Sequence, residues 1–158
     1  MEAGEILRSK GLLDDRQLTI LRDSAGDTSR IDQVAVQMGF VREDEALSAL
    51  GEQLGLEYVD LTKTKVDLSL LEQFPLKSIY RHSVFPLKRR NGTLVVATSD
   101  PFEMYALDEI SSSTGLMVEP VLASAEEIDK LVKTHLGVGS ETIDGLLAQR
   151  ESEAGVEL

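Results

Sequence analysis

An internal repeat within residues 1–56 limits the possible folds more than any other feature of the chain. Shifting the sequence by 28 residues superposes Gly11 on Gly39 and places apolar pairs on apolar pairs at both sides of the glycine. The shared unit is a short helix, a glycine, two apolar residues and a second helix that begins with an acidic residue. Such a unit is too small to bury its own apolar face, so the two copies are predicted to pack against each other.

Residues 1–56 therefore form a predicted helical repeat subdomain. Gly11, Gly39 and Gly55 fit the position just past a helix end, where a left-handed backbone closes the last turn. Asp14 and Gln17 have the spacing of a capping box for the second helix. The predicted helices are Glu5–Lys10, Asp15–Arg22, Arg30–Met38 and Glu43–Leu54.

Residues 57–137 have mixed periods and form a second predicted subdomain. The extended segment 57–67 precedes two short helices, one capped by Asp67 and one beginning at Pro75. Two strand-like runs follow, joined across Asn91-Gly92, and Asn-Gly between apolar runs is a strong hairpin signal. These two predicted strands are Val84–Lys88 and Thr93–Ala97.

The rest of this subdomain adds two helices and a third strand. Asp100 and Pro101 are predicted to begin a helix as its N-cap and first residue. Met117–Leu122 is predicted to be an edge or bulged strand because it contains Pro120. Ser124 opens a capping box for the last helix. The order β-β-α-β-α predicts an α+β fold, with a three-stranded sheet and helices on one face. Residues 138–158 have the composition of a linker.

Composition excludes several classes of function. The formal net charge is −12, from 28 acidic and 16 basic residues, which disfavours binding to nucleic acid or to anionic lipid. The chain has no cysteine, so thiolate chemistry is excluded. No apolar stretch approaches the roughly 20 residues of a membrane span, so direct insertion is not expected.

No catalytic residue, metal site or cofactor is predicted. The phosphate-binding pattern GxxxxGK[ST] is absent, so the chain by itself should not hydrolyse nucleotide. His82 and His135 are distant in sequence and have no partner at metal-ligand spacing. The acidic pairs begin helices, where negative charge is stabilised by about 0.3–1 kcal/mol. An enzyme is therefore not expected.

One group of basic residues stands out in this acidic chain. It surrounds the predicted hairpin and has two interpretations: an ordinary solvated turn, or a docking patch for an acidic partner surface. The group consists of Lys77, Arg81, Lys88, Arg89 and Arg90.

Several segments of the chain resemble a known family. They are LGLEYVDL, SVFPLKRRNGTLVVATSDPFEMYALDEI and TGLMVEPVLASAEEIDKLV, after the helical repeat. The pattern over residues 4–137 resembles the N-terminal, MshEN-type domain of type II secretion and type IV pilus assembly ATPases. The resemblance implies a domain that ties a hexameric motor to the cytoplasmic part of an inner-membrane platform protein. It also implies a cytoplasmic location beside that membrane, with 138–158 leading to an ATPase core that is absent here.

Part of that family binds cyclic diguanylate through paired motifs that begin Arg-Leu-Gly. By resemblance, the ligand-binding candidates here are Gly4, Gly11, Arg30, Gly39 and Gln53. The chain departs from the motif where Glu2 and Ala3 replace Arg-Leu and where Asp32 replaces a glycine, which places a carboxylate near a dianionic ligand. We therefore expect docking, and keep a cyclic diguanylate sensor as the alternative. The docking surface is expected at the hairpin edge with its basic group, or on the exposed faces of the repeat. By itself the chain is expected to be a monomer or a weak dimer.

Overall fold

The computed structural model describes residues 2–25 and 30–136, and the predicted linker 138–158 lies outside the described residues. The described residues belong to two compact units, divided between Tyr58 and Val59. Helices alone form the first unit, whereas the second combines helices with a sheet. The fold is α+β, as predicted.

The helices of the first unit follow the sequence repeat. The first and third helices begin and end at equivalent positions of the two copies, and the second and fourth helices also begin at equivalent positions. A shared core of leucine, isoleucine, valine and alanine side chains holds them together. The four helices are α1 (Ala3–Ser9), α2 (Asp15–Ala25), α3 (Ile31–Gln37) and α4 (Glu43–Leu54).

Helices α1 and α3 end in the same kind of turn. Gly11 and Gly39 both have a φ of 78°, in the left-handed region. In the first copy the N–H of Leu12 donates to the carbonyl of Leu7 at 2.9 Å, and in the second copy Phe40 donates to Ala35 at 3.0 Å. A bond from beyond a left-handed glycine back to the last turn is a Schellman motif. The predicted left-handed helix ends are confirmed.

Helices α2 and α4 begin in related ways. The N–H of Asp14 donates to Gln17 at 3.0 Å, and the N–H of Gln17 donates to the Asp14 carboxylate at 2.7 Å. This reciprocal pair is the predicted capping box. In the second copy the N–H of Arg42 donates to Glu45 at 3.1 Å. An arginine side chain cannot accept the return bond, so this copy keeps half of the box.

Packing in the first unit requires a small residue at Gly4. A Cβ atom there would lie 2.8 Å from Leu18 Cδ1 and 3.3 Å from Ile31 Cγ2. In the second copy Asp32 replaces Gly4 and Ala46 replaces Leu18, and both of these residues are buried. In the first copy the small residue is on the first helix and the large one on the second helix, and in the second copy this order is reversed. The small Ala46 thus leaves room for Asp32.

The second unit has the predicted β-β-α-β-α order after two short helical segments. Its core contains Phe85, Val96 and Ile110, which are fully buried. The first helical segment is a 3₁₀ turn over Leu68–Glu72, capped by the Asp67 carboxylate as predicted. The other elements are α5 (Leu76–His82), β1 (Val84–Arg90), β2 (Thr93–Thr98), α6 (Met104–Thr114), β3 (Met117–Leu122) and α7 (Ala125–Leu136).

The sheet is mixed, with strand order β1-β2-β3. Strands β1 and β2 form the predicted antiparallel hairpin, and Asn91 and Gly92 have φ values of 52° and 81°. Two consecutive positive φ values identify a type I′ turn, whose twist matches that of the flanking strands. Strand β3 runs parallel to β2, connected to it through α6. Pro120 lies in this edge strand, as predicted.

The central strand of the sheet is buried on both faces, whereas the sequence predicts helices on one face only. Leu94, Val95, Val96, Ala97 and Thr98 are all buried. Successive side chains of a strand point to opposite faces, so both faces of the sheet are covered at its central strand. Burial on both faces is typical of a strand that takes part in parallel pairing.

The predicted start of α6 is also wrong. The helix begins at Met104, not at Pro101. The Asp100 carboxylate accepts a hydrogen bond from the N–H of Phe102 at 2.9 Å, and the N–H of Asp100 donates to Thr98 at 3.1 Å. Aspartate often bonds to the backbone two residues ahead in this way, which makes a turn and delays the helix.

Segments before the sheet are tied to both of its edges. The N–H of Val59 donates to Leu122 of β3 at 2.8 Å, and the N–H of Asp67 donates to Leu87 of β1 at 2.8 Å. The N–H of Glu127 donates to the Ser124 hydroxyl at 3.4 Å, as the predicted capping box of α7 requires. The Glu127 carboxylate also accepts from the N–H of Leu61 at 3.0 Å. These bonds occupy edge groups that could otherwise pair with another strand.

Candidate functional site

The five predicted docking cations lie on two elements of the second unit. Lys77 and Arg81 lie on the exposed side of α5, one helical turn apart. Lys88, Arg89 and Arg90 are exposed in the last three positions of β1. Strand β1 begins next to the end of α5, and a seven-residue strand spans about 20 Å. The basic group is therefore shared between helix α5 and the hairpin end of β1.

The three cations on β1 have different surroundings. Arg90 lies 3.5 Å from the Glu119 carboxylate across the sheet, in an exposed ion pair. Arg89 borders a cavity of about 340 Å³ that is also lined by Asp67 and Glu72. Lys88 borders a different depression, beside Lys65. All three side chains are exposed at the hairpin end of the strand, in a chain whose net charge is −12.

Arg30, the arginine predicted to contact a nucleotide, forms an internal ion pair. Its Nε and Nη2 atoms donate to the two carboxylate oxygens of Asp32 at 3.0 and 2.9 Å. The side chains are 15% and 3% exposed. A two-bond guanidinium–carboxylate pair holds both groups in one geometry. Asp32 therefore positions Arg30 within the repeat, and the mostly buried guanidinium offers little of its plane to a ligand.

Two glycines of the predicted nucleotide site, Gly4 and Gly11, lie at opposite ends of helix α1, and the third, Gly39, follows the end of α3. Gly4 is buried against Ile31, next to Arg30, and its small size is explained by that packing. Gly11 lies seven residues later, or about 10 Å along the helix. A Cβ atom at Gly11 or at Gly39 would meet no heavy atom within 4 Å, so both glycines border open space.

Gln53 is exposed on α4 and lies near the end of α1 that carries Gly11. Lys10 and Glu52, the chain neighbours of Gly11 and Gln53, form an ion pair of 3.0 Å. The ion pair shows that α4 passes near the end of α1 that carries Gly11, whereas Gly4 and Arg30 lie at the start of α1. Gly39 follows the end of α3.

Among residues 2–25 and 30–136, Asp15 and Asp60 have lowered pKa values, and neither is a predicted site residue. A hydrogen bond from Arg8, reinforced by its charge, lowers the pKa of Asp15. The Thr62 hydroxyl, followed by the Thr62 backbone N–H, lowers the pKa of Asp60. Both shifts come from local bonds at exposed positions and are explained by structure alone. Over residues 2–25 and 30–136, no three histidine or carboxylate side chains converge in a way that could hold a metal ion.

Sequence reasoning missed a group of exposed large side chains near α5 and the start of α6. Tyr80, Phe102, Met104 and Tyr105 are 44%, 40%, 58% and 72% exposed. The chain has few aromatic residues, four Phe and three Tyr, and four of the seven fall within residues 80–105, which is a signal that the sequence carries. The wrongly placed start of α6 concealed it.

These observations define the class of the protein: an α+β domain that joins a duplicated helical subdomain to a lobe with a three-stranded mixed sheet. More particularly, the chain belongs to the MshEN domain family, whose model matches residues 54–142, just over half of the 158 residues. The predicted resemblance to the N-terminal domains of secretion and pilus assembly ATPases is confirmed. The match covers the second unit, which holds the basic hairpin.

Curated relatives come from both systems. The type IV pilus assembly ATPase PilB of Myxococcus xanthus is 24% identical over 145 residues, which cover 91% of this chain and 26% of the relative. Type II secretion system protein E of Xanthomonas campestris is 26% identical over 122 residues, covering 75% of this chain and 22% of the relative. The match therefore spans about a quarter of the length of these two relatives.

Solved structures share the fold. The structure of MshE with cdg aligns over 85% of this chain and 99% of that one, at 23% identity and a TM-score of 0.75. The N-terminal domain of XpsE aligns over 84% of this chain and 92% of that one, at 24% identity and a TM-score of 0.64. None of the helices in the described ranges is both long enough and apolar enough to cross a bilayer.

Proposed function

We propose that this chain is a non-catalytic docking domain of a secretion or pilus assembly ATPase. In this role it holds a cytoplasmic motor, supplied by a longer form of its own chain, to the cytoplasmic part of an inner-membrane platform protein. It would then lie in the cytoplasm and reach the membrane through that partner. Family membership supports the connection to such ATPases, because the relatives from both systems are parts of those assemblies.

The observation that carries the docking proposal is the cationic end of the hairpin. Lys88, Arg89 and Arg90 project from one end of β1, while the whole chain has a net charge of −12. Exposed charges at the rim of an interface steer association and select partners of opposite sign. The expected partner surface is therefore acidic. The remaining two predicted cations, Lys77 and Arg81, would take part only if the interface extended along β1 to α5.

Binding to the purified cytoplasmic domain of the platform protein tests the proposal. The double change Lys88→Glu and Arg89→Glu should weaken binding about tenfold or more, and mainly through slower association. The matched control is Lys130→Glu with Lys133→Glu, which makes the same change in net charge on the exposed side of α7. Biosensor kinetics at two salt concentrations would measure both rates. Equal losses in the two variants would contradict a specific role for the hairpin.

A second candidate function is a cyclic diguanylate sensor, taking cdg in the MshE structure to be that nucleotide. The favouring observation is the likeness to MshE, which covers 99% of that chain. The matching left-handed turns at Gly11 and Gly39, both beside open space, are compatible with a ligand approaching the backbone. The internal pair of Arg30 with Asp32 opposes it. Gly4 and Gln53 add no contact that favours it.

Calorimetric titration with cyclic diguanylate separates the two candidates. Saturable binding with a dissociation constant of about 1 μM or less, a free energy near −8 kcal/mol, would make the sensor the better description. Absence of heat, with folding verified by circular dichroism, would leave docking as the function to pursue. The two tests are independent, because one uses the hairpin and the other uses the helical repeat.

A further inference from the structure

The cavity of about 340 Å³ that Arg89 borders lies at the hairpin end of the sheet. Its other walls are the 3₁₀ turn with the residues that follow it, Leu94 of β2 and the end of α6. We call it the hairpin cavity. An apolar cavity of about 150 Å³ can hold a benzene molecule, so the hairpin cavity has room for one large apolar side chain and part of its backbone.

The strand register explains why these residues border one cavity. Arg89 of β1 lies opposite Leu94 of β2, and Leu94 lies opposite Val118 of β3. Residues that lie opposite each other point to the same face of a sheet, and so does every second residue along a strand. Leu116, two residues before Val118, borders the cavity from the same face. The cavity therefore belongs to a single face of the sheet.

The inner part of the hairpin cavity is apolar. Phe74 and Leu94 border it and are each 2% exposed, so they lie at its bottom. Leu70 and Leu116 also border it and are partly buried against the same core. Binding sites typically combine such an apolar interior with a few polar groups that fix the orientation of the ligand. A large aliphatic or aromatic side chain suits this interior.

Three polar side chains at the rim, those of Glu72, Gln73 and Arg89, form no hydrogen bond or ion pair with any other described residue. All three are exposed. Asp67 differs from them, because its carboxylate accepts from the N–H and the hydroxyl of Ser69 at 3.1 and 2.6 Å. Glu72 and Arg89 carry opposite charges and border the same cavity, yet the structure does not pair them. Both charges are therefore available to a ligand.

We propose that the hairpin cavity receives a side chain of the docking partner. It recognises an apolar residue that has an acidic neighbour on one side and a basic neighbour on the other. The acidic neighbour meets Arg89, the basic neighbour meets Glu72, and the apolar side chain lies against Phe74 and Leu94. The Gln73 amide can donate to and accept from the backbone of the same segment. The inference rests on the proposed docking and adds the sequence pattern of the segment that docks.

The position of the cavity favours a segment of the partner over a free small molecule. Arg89 borders the cavity and also belongs to the exposed cationic end of β1, between Lys88 and Arg90. Residues that contribute most to binding insert into desolvated pockets near the centre of an interface, while charges at its rim steer and orient the partner. The hairpin supplies the charges and the cavity supplies the pocket.

A blocked tripeptide tests the cavity directly. The probe is acetyl-Glu-Leu-Lys-amide, titrated into the ¹⁵N-labelled full chain and followed by NMR. We expect a dissociation constant on the order of 1 mM, with the largest shifts in residues 69–74, 89–94 and 114–116. Acetyl-Glu-Ala-Lys-amide should bind about tenfold more weakly or less, because it buries less apolar surface. Absence of shifts at about 10 mM, or equal binding of the two peptides, would overturn the proposal.

Matched variants test the rim. Gln73→Trp should obstruct the cavity and abolish binding of the probe, whereas Gln37→Trp, the same change at an exposed position at the end of α3, should leave binding unchanged. Glu72→Lys should weaken the probe and favour acetyl-Glu-Leu-Glu-amide by about tenfold. Equal effects of the two tryptophans, or an unchanged preference between the peptides, would overturn the proposal. Circular dichroism should show unchanged folding, because the three substituted residues are exposed.

The cytoplasmic domain of the platform protein separates this inference from the proposed docking. If both hold, Gln73→Trp weakens its binding about tenfold or more, and so does the reversal of Lys88 and Arg89. If the charge reversal weakens binding and Gln73→Trp does not, the docking stands and the cavity inference is overturned. If the wild-type chain does not bind the platform domain, the docking is contradicted and the inference that rests on it is overturned as well.

Discussion

At the residue scale, two Arg–Asp pairs with the same spacing differ mainly in their burial. Arg30 and Asp32 are 15% and 3% exposed, whereas Arg42 and Asp44 are 74% and 53% exposed. Both pairs begin a helix, and in both the Nε and Nη2 atoms face the carboxylate. Breaking a buried pair leaves an uncompensated charge, while exposed pairs contribute little. The exposed Arg42–Asp44 pair therefore serves as a control when the contribution of Asp32 to the stability of the fold is measured.

We predict that Asp32→Ala lowers the free energy of unfolding by about 2–4 kcal/mol, because the mostly buried guanidinium of Arg30 then loses the two hydrogen bonds that Asp32 accepts. Asp44→Ala should cost less than about 1 kcal/mol, including its favourable place at a helix start. Urea unfolding followed by circular dichroism measures both changes. Equal costs would show that the Arg30–Asp32 pair has no special structural role and would revive a ligand-binding interpretation of Arg30.

A second prediction concerns the pH dependence contributed by Asp60. Its pKa is lowered by the Thr62 hydroxyl, which donates at 2.6 Å, and then by the Thr62 N–H at 2.9 Å. A lowered pKa means a stabilising contribution that is present above the unfolded pKa, near 3.9, and that is lost as the pH falls through the folded value. Thr62→Val should raise the pKa of Asp60 toward its ordinary value in a carboxyl NMR titration. An unchanged titration curve would assign the shift to the backbone bond alone.

At the element scale, the glycines that end α1 and α3 connect sequence directly to backbone geometry. Alanine at Gly11 or Gly39 would have to adopt a φ of 78°, although no neighbouring atom obstructs it. We predict that each alanine variant loses about 1 kcal/mol of stability through backbone strain, and that Gly39→Asn loses less, because asparagine tolerates this conformation better. Thermal or urea unfolding of the three variants tests this. Losses that differ widely between Gly11 and Gly39 would contradict the equivalence of the two copies.

Local signals explain which elements can be predicted from sequence. The repeat, the left-handed helix ends and the Asn91-Gly92 hairpin depend on residues close together in the chain, and all of them are confirmed. The predicted start of α6 is wrong because Asp100 has two local options, a helix cap and a turn, and bonds with Thr98 and Phe102 select the turn. Burial of both sheet faces could not be predicted from local sequence patterns. It depends on the parallel pairing of β2 with β3, and the whole of α6 separates these two strands in the chain.

At the scale of the whole molecule, the candidate surfaces depend on distances that the sequence does not contain. The five basic residues resemble one group because they lie close together in the chain, and the fold places them on two elements, α5 and the hairpin end of β1. The sequence pattern assigns Arg30 to ligand contact and Asp32 to ligand repulsion, whereas the fold pairs them with each other. In both cases the charge of each residue is evident from the sequence. The residues that surround it, and therefore what it can bind, are set by the tertiary structure.

The second unit should fold without the first, and this is the last prediction. The core cluster that contains Phe85 extends from Leu61 to Val132 and lies entirely within residues 59–136. A fragment of these residues should therefore unfold cooperatively in urea, with a slope of about 1 kcal/mol/M, as expected for a small domain. Phe85→Ala, at a fully buried position, should remove about 3–5 kcal/mol and abolish the cooperative transition, whereas Tyr105→Ala, at a position 72% exposed, should preserve it. A fragment that unfolds gradually and binds a hydrophobic dye would contradict independent folding, and the basic hairpin would then have to be studied only in the complete chain.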